Sequence, residues 1–229
     1  MTTPPITPIT EDDIAQFLVS TPGFFERHSE LLASITISSP HGQRAVSLHE
    51  RQTELLREKI KGLEHRVMDM VRNGSENGAT ADKVHQWCRR LLAVPYAAGL
   101  PAVAEKATHE LFDVPQVALR LWGVAQAQAG TPCTEGVSED ARAFASSLTM
   151  PYCGPNLGFE ATQWLAQPGE VQSLALLPLR RGAIDSAEQP AFGLLVLGSP
   201  DEHRFDATMG VDFLTRMAEL ASAALSRLL

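Results

Sequence analysis

Cysteine is scarce: the 229 residues hold only Cys88, Cys133 and Cys153, an odd number at wide spacings. That excludes a disulfide framework and fits a reducing compartment, so a cytoplasmic location is expected. Basic residues are also short, with 19 Lys and Arg against 27 Asp and Glu and a formal charge of −8. The deficit is spread, −3 over residues 1–80 and −5 over 81–229, and no basic stripe stands out. Direct nucleic-acid binding draws its affinity largely from neutralised phosphates and is not expected. Long apolar runs are missing too. Stretches such as Ala191–Gly198 fall well short of the ~18–20 residues of a membrane span. Met1–Pro5 has neither the basic start nor the apolar middle of a secretory signal, so neither membrane insertion nor export is expected.

Motifs of the common chemistries are equally absent. The histidines at 28, 41, 49, 65, 85, 109 and 203 show no H-x-x-x-H spacing, and no C-x-x-C occurs, so no metal site is expected. There is no G-x-S-x-G elbow, no G-x-x-x-x-G-K-[ST] loop and no strand followed by G-x-G-x-x-G. No catalytic residue is assigned, no cofactor is named, and the chain reads as non-enzymatic.

What is there is an ordinary globular composition, 44% hydrophobic, whose pattern changes along the chain. Thr10-Glu11-Asp12-Asp13 has the form of a capping box ahead of Ile14, Phe17 and Leu18 on one helix face. Thr21-Pro22 predicts a second cap, followed by Phe24, Phe25, Leu31, Leu32 and Ile35. Helices this short do not stand alone, so they are expected to pack on one another or on a dimer partner.

From Ala45 to about Val71 the pattern predicts a long polar helix with a narrow apolar seam. Leu56, Ile60, Leu63, Val67 and Met70 are spaced 4, 3, 4, 3, a coiled-coil register that runs back through Thr53, His49 and Val46. A homodimer is expected through this seam, flanked by the solvated charges of Glu50, Arg51, Glu54, Arg57, Glu58 and Lys61. Asn73-Gly74-Ser75-Glu76-Asn77-Gly78 then interrupts the pattern, and keeping it helical costs roughly 3–4 kcal/mol relative to alanine. Either the helix breaks there or packing overrides propensity. Ala81, Val84, Trp87, Cys88, Leu91 and Leu92 resume a helical spacing.

The boundary between the two parts falls near residues 73–95, and the division is set at 1–94 for the helical region and 95–229 for the α+β domain. In the latter the pattern predicts a helix over 102–112, a strand Gln116–Trp122 and a helix over 139–148. A turn at Tyr152-Cys153-Gly154-Pro155 and a short helix over 159–165 follow. Gln172–Arg180 and Phe192–Gly198 read as a hairpin, and Ala207–Leu228 as an amphipathic closing helix. This order implies a mostly antiparallel sheet flanked by helices.

Four stretches together resemble the bacterial domain-of-unknown-function family 484. They are Thr21-Pro22-Gly23-Phe24-Phe25-Glu26-Arg27-His28-Ser29-Glu30-Leu31-Leu32; Pro40-His41 with Ala45-Val46-Ser47-Leu48-His49-Glu50-Arg51-Gln52; the hairpin Ser173–Leu179 with Gly193–Ser199; and Arg204-Phe205 with Met209-Gly210-Val211-Asp212-Phe213-Leu214. Gly23, Ser29, Arg44, Ala207 and Val211 depart from the family's pattern. The resemblance implies a GAF-like domain behind an N-terminal helical region, a dimer, and a small-molecule-sensing or regulatory role. It carries no ligand residues with it.

GAF-type domains hold ligands between the sheet and its flanking helices and loops, which makes Arg120, Trp122, Tyr152, Cys153, Trp164 and Arg180 the candidate ligand-binding residues. Arg180 and Arg181 carry guanidinium groups that suit a phosphate or carboxylate, against the alternative of a solvated loop. The aromatics either line a cavity or anchor the core. Cys153 is a thiol in a turn, open to a reductase reading or to a plain structural one. An interaction scaffold with a filled, vestigial pocket is the other alternative.

Overall fold

A computed structural model describes residues 9–38, 45–186, 189–206 and 210–229. The Pro40-His41 turn, Arg44 and the Ala207–Met209 start of the expected closing helix lie outside the described residues. The chain divides into two compact units, Met1–Asn73 and Gly74–Leu229, at the early edge of the window read from sequence.

In the first unit, α1 (Glu11–Ser20) begins with the expected capping box: the Thr10 hydroxyl accepts the Asp13 N–H, and the Asp13 carboxylate accepts the Thr10 N–H. The second cap does not form. Phe24 N–H bonds to the Thr21 carbonyl in a turn, and α2 (Phe24–Arg27) starts after Gly23 with no side-chain cap. Thr21 and Pro22 therefore make the turn between helices rather than the start of one. Phe24 packs edge-on against Phe17 and Phe25, with centroids 5.7 and 5.3 Å apart. After α3 (Ser29–Ser34), the strands β1 (Thr36–Ser38) and β2 (Ala45–Ser47) pair antiparallel, Ile37 opposite Val46. Val46 thus belongs to a strand, and the seam cannot run back through it as a helical position. Three residues of extended pairing displace the first helical turn predicted there.

The long helix α4 (Leu48–Leu92) continues through Asn73–Gly78 without a break. Packing does not hold it, since residues 73–78 are exposed and Gly74 and Gly78 have open space around them. The competing cost explains the outcome. A break creates two new ends with unsatisfied backbone groups, and restarting a helix carries a nucleation penalty of roughly 4 kcal/mol, as large as the propensity cost of continuing.

The second unit is α+β. Its four-stranded antiparallel sheet has the order β3-β6-β5-β4, from β3 (Gln116–Leu121), β4 (Tyr152–Pro155), β5 (Ser173–Leu179) and β6 (Gly193–Ser199). Leu195 of β6 lies opposite Leu119 on one side and Leu177 on the other. Every residue of the two central strands is buried, which is why they read in the sequence as unbroken apolar runs. Gly193 and Gly198 bound β6 where a Cβ would meet Leu121 and Leu165 side chains at 2.6 Å. The expected turn at Tyr152–Pro155 is instead the edge strand β4, with Cys153 opposite Ala175. An edge tolerates Pro, so the Gly-Pro pair ends a strand here.

One sheet face carries Leu119, Leu121, Ala175, Leu177, Leu195 and Leu197 against helices. These are α5 (Leu100–Phe112), α7 (Asp212–Leu225) and the last turns of α4, which contribute Val84, Trp87 and Leu91. Trp87 is fully buried, and its indole N–H donates to Thr108 Oγ1 at 3.0 Å. The other face carries Ala118, Leu174, Leu176, Leu194 and Val196 under α6 (Glu139–Ser147), whose N-cap is Ser138, and the loop residues 156–171. Residues 160–164 form a 3-10 turn where a short α-helix is predicted. Among the described residues no helix is long and apolar enough to cross a membrane.

Candidate ligand site at the edge of the sheet

The six candidate residues do not converge on one pocket. Trp122, Tyr152 and Trp164 all pack on the α6 face of the sheet, together with Phe144, Leu148 and Phe159. Phe159 sits 5.3 Å from Phe144 and 5.1 Å from Tyr152, ring to ring. Each polar tip is taken by backbone: Trp122 Nε1 donates to the Ala191 carbonyl at 2.6 Å, Trp164 Nε1 to Gly136 at 3.1 Å and Tyr152 Oη to Pro155 at 3.1 Å. Of the two readings open to these aromatics, the packing matches the one in which they anchor the core.

Arg180 follows the last residue of β5 and is 2% exposed. Its Nη2 donates to the carbonyls of Ala145, Ser146 and Leu148 at 3.3, 2.5 and 2.7 Å, and Nη1 to those of Ser186 and Gln189 at 2.9 Å each. The cation thereby caps the C-terminus of α6, where the helix dipole favours positive charge, and ties it to the hairpin loop. Its planar fork is occupied by backbone oxygen, not open to a ligand phosphate. Arg181, by contrast, is exposed.

Cys153 points the other way, into the helix-packed face, and is half-buried. Burial pushes its thiol up from the ordinary 9.0 to about 11, so at neutral pH it stays protonated. That speaks against a thiolate nucleophile. It also has a sign in stability, because a folded-state value above the unfolded one stabilises at low pH and is lost as pH rises. Raising the pH from 9.0 to about 11 should therefore lower the Tm of the native chain more than that of Cys153→Ala. Parallel loss in both, followed by circular dichroism, would contradict the assignment.

Arg180 also borders a cavity of about 390 Å³ with Arg181 and Glu219, but its Nη atoms are engaged by carbonyls; Arg120 is the candidate with free donors at an open site. It lies on β3, with its guanidinium 5.8 Å from the Trp164 ring centroid, and lines a cavity of about 380 Å³ at the outer edge of that strand. The wall comes from the start of α5 (Pro101, Glu105), from the loop after β3 (Gln128, Thr131) and from Leu228 near the C-terminus. Glu105 Oε1 accepts the Leu119 N–H at 2.7 Å and Arg120 Nη1 donates to the Leu119 carbonyl at 3.0 Å. Together they occupy the N–H and C=O of Leu119 at the middle of the β3 edge, which would otherwise be free to pair. Burial raises the Glu105 carboxyl above its usual range, offset in part by the Leu119 N–H and the Arg120 charge. Cys133 is in the wall too, 3.3 Å from Thr131 Oγ1. Sequence reading found only Arg120 of this set. Glu105 had no motif to mark it, being one acidic residue beside the buried stripe of an amphipathic helix.

A family model described as "Protein of unknown function, DUF484" matches residues 4–229. The chain belongs to the DUF484 family. Comparison of this DUF484 chain with curated proteins gives no match. Among solved structures it is similar to the GAF domain of a protein described as a sensor histidine kinase from Pseudomonas syringae pv. tomato. The identity is 18% and the TM-score 0.44, over 68% of this chain and 91% of that one. It is also similar to a far-red cyanobacteriochrome photoreceptor, at 15% identity and TM-score 0.38, over 68% of this chain and 98% of that one.

Proposed function

We propose that this DUF484 chain is a non-enzymatic, homodimeric regulatory module of the cytoplasm, paired through the seam of α4. One observation carries the reading: Leu56, Ile60, Leu63, Val67 and Met70 are 59, 54, 58, 56 and 72% exposed at heptad spacing on one long helix. Burying five such side chains contributes ~1.5–3 kcal/mol each, against an association cost of ~4–15 kcal/mol. The margin is thin, so the exposed Val71, which flanks the stripe, belongs to the same contact. Three unpaired cysteines agree with a reducing compartment.

The filled α6 face favours the scaffold alternative over sensing by a ligand held across the sheet, and the β3-edge cavity is one open place for a small molecule. Leu63→Glu tests the pairing. A charge at the centre of the seam should make the chain monomeric while its far-UV circular dichroism and the Tm of the second unit stay unchanged, since Leu63 touches none of that core. A variant that keeps the mass of the native chain would remove the seam from the interface.

A further inference from the structure

The β3-edge cavity holds two opposite charges that grip one residue's backbone without spending themselves on each other. Among the described residues, Glu105 has the Leu119 N–H as its hydrogen-bond partner and Arg120 has the Leu119 carbonyl. A second carboxylate oxygen and further guanidinium donors remain, including a buried Nε with no hydrogen-bond partner. The first turn of α5, with Pro101 and Ala102 in the wall, brings the positive end of a helix dipole to the same space. The rest of the wall is mixed: Gln128 and Thr131 are polar, while Val124 and Leu228 are apolar.

We propose that this cavity binds a small zwitterion of the α-amino-acid type with an apolar side chain, its carboxylate on Arg120, its ammonium on Glu105 and its side chain against Pro101, Val124 and Leu228. The charge pattern selects the class. A ligand that displaces water while carrying one charge leaves the opposite protein charge unmatched in a partly desolvated site, and a neutral ligand leaves both. A zwitterion meets both at once. The volume of about 380 Å³ accommodates a molecule of this size and sits at the small end of ligand pockets. The inference concerns the second unit alone and stands whether or not α4 pairs.

Isothermal titration of the full chain with L-phenylalanine, 3-phenylpropanoate and 2-phenylethylamine tests it, because the last two each lack one charge. L-phenylalanine is expected to bind saturably, and each analogue at least about tenfold more weakly. Glu105→Gln, which keeps an oxygen for the Leu119 N–H, should weaken L-phenylalanine by about tenfold and bind 3-phenylpropanoate at least as tightly as the native chain, since the unmatched carboxylate is gone. Arg120→Met should weaken L-phenylalanine similarly and bind 2-phenylethylamine at least as tightly as the native chain; if that variant does not fold, Glu105→Gln against the three probes decides. Analogues binding as tightly as the amino acid would overturn the assignment. So would the absence of binding by L-phenylalanine, L-leucine and L-methionine up to about 10 mM.

Discussion

Arg180→Met should destabilise the second unit by about 3–5 kcal/mol, a loss large enough to count as diagnostic. The side chain is nearly the right length and apolar, so the core keeps its volume. What disappears is a donor shared by five backbone carbonyls in two separate stretches of chain, those of Ala145, Ser146 and Leu148 and those of Ser186 and Gln189. Those at the end of α6 lack a helical partner by position. The guanidinium's own desolvation, which lowers its pKa, opposes part of the gain, so the net is well below the sum of five charged hydrogen bonds. Urea unfolding should show a lower midpoint with an unchanged slope. Arg180→Lys should recover only a fraction, because a single ammonium does not span both segments. A loss under about 1 kcal/mol for Arg180→Met would mean that these carbonyls find other partners and that the cation is free for another use.

Trp87→Ala should cost about 3–5 kcal/mol, although the residue lies within 1–94, the stretch that the sequence pattern alone gives to the helical region. Its ring is fully buried between α4 and α5, and Thr108 Oγ1 would lose its indole donor. The same contact sets the boundary of the folding unit. A chain starting at Gly74 retains Val84, Trp87 and Leu91, and should unfold cooperatively. A chain starting at residue 95 lacks all three core side chains and should not, by thermal circular dichroism. Equal melting of the two shortened chains would show that the end of α4 is dispensable to the core.

The central hairpin was legible because β5 and β6 are buried on both faces and advertise it as the apolar runs Leu174–Leu179 and Gly193–Gly198. The Thr10 capping box was legible because its chemistry is complete within four residues. β4 was not, since Gly154 and Pro155 carry the same signature in a turn and at a sheet edge, and only the partner strand tells the two apart. The role of Arg180 was not legible for a related reason: the carbonyls it holds on α6 lie more than thirty residues earlier. Nothing local distinguishes an arginine waiting for an anion from one already spent on a helix end. The candidate cavity is the extreme case. Glu105, Arg120, Thr131 and Leu228 come from a helix, a strand, a loop and the chain's last turn, and no spacing along the sequence encodes their meeting. The aromatics Trp122, Tyr152 and Trp164 share one sheet face, and of their two readings, lining a cavity or anchoring the core, only tertiary packing selects the second.

Sedimentation equilibrium of the unmodified full chain tests the account most directly. Pairing through the α4 seam predicts a concentration-dependent mass approaching twice 24.8 kDa. A mass that stays at 24.8 kDa across the micromolar range would contradict it, leaving the exposed Leu56–Met70 stripe without the partner this reading requires.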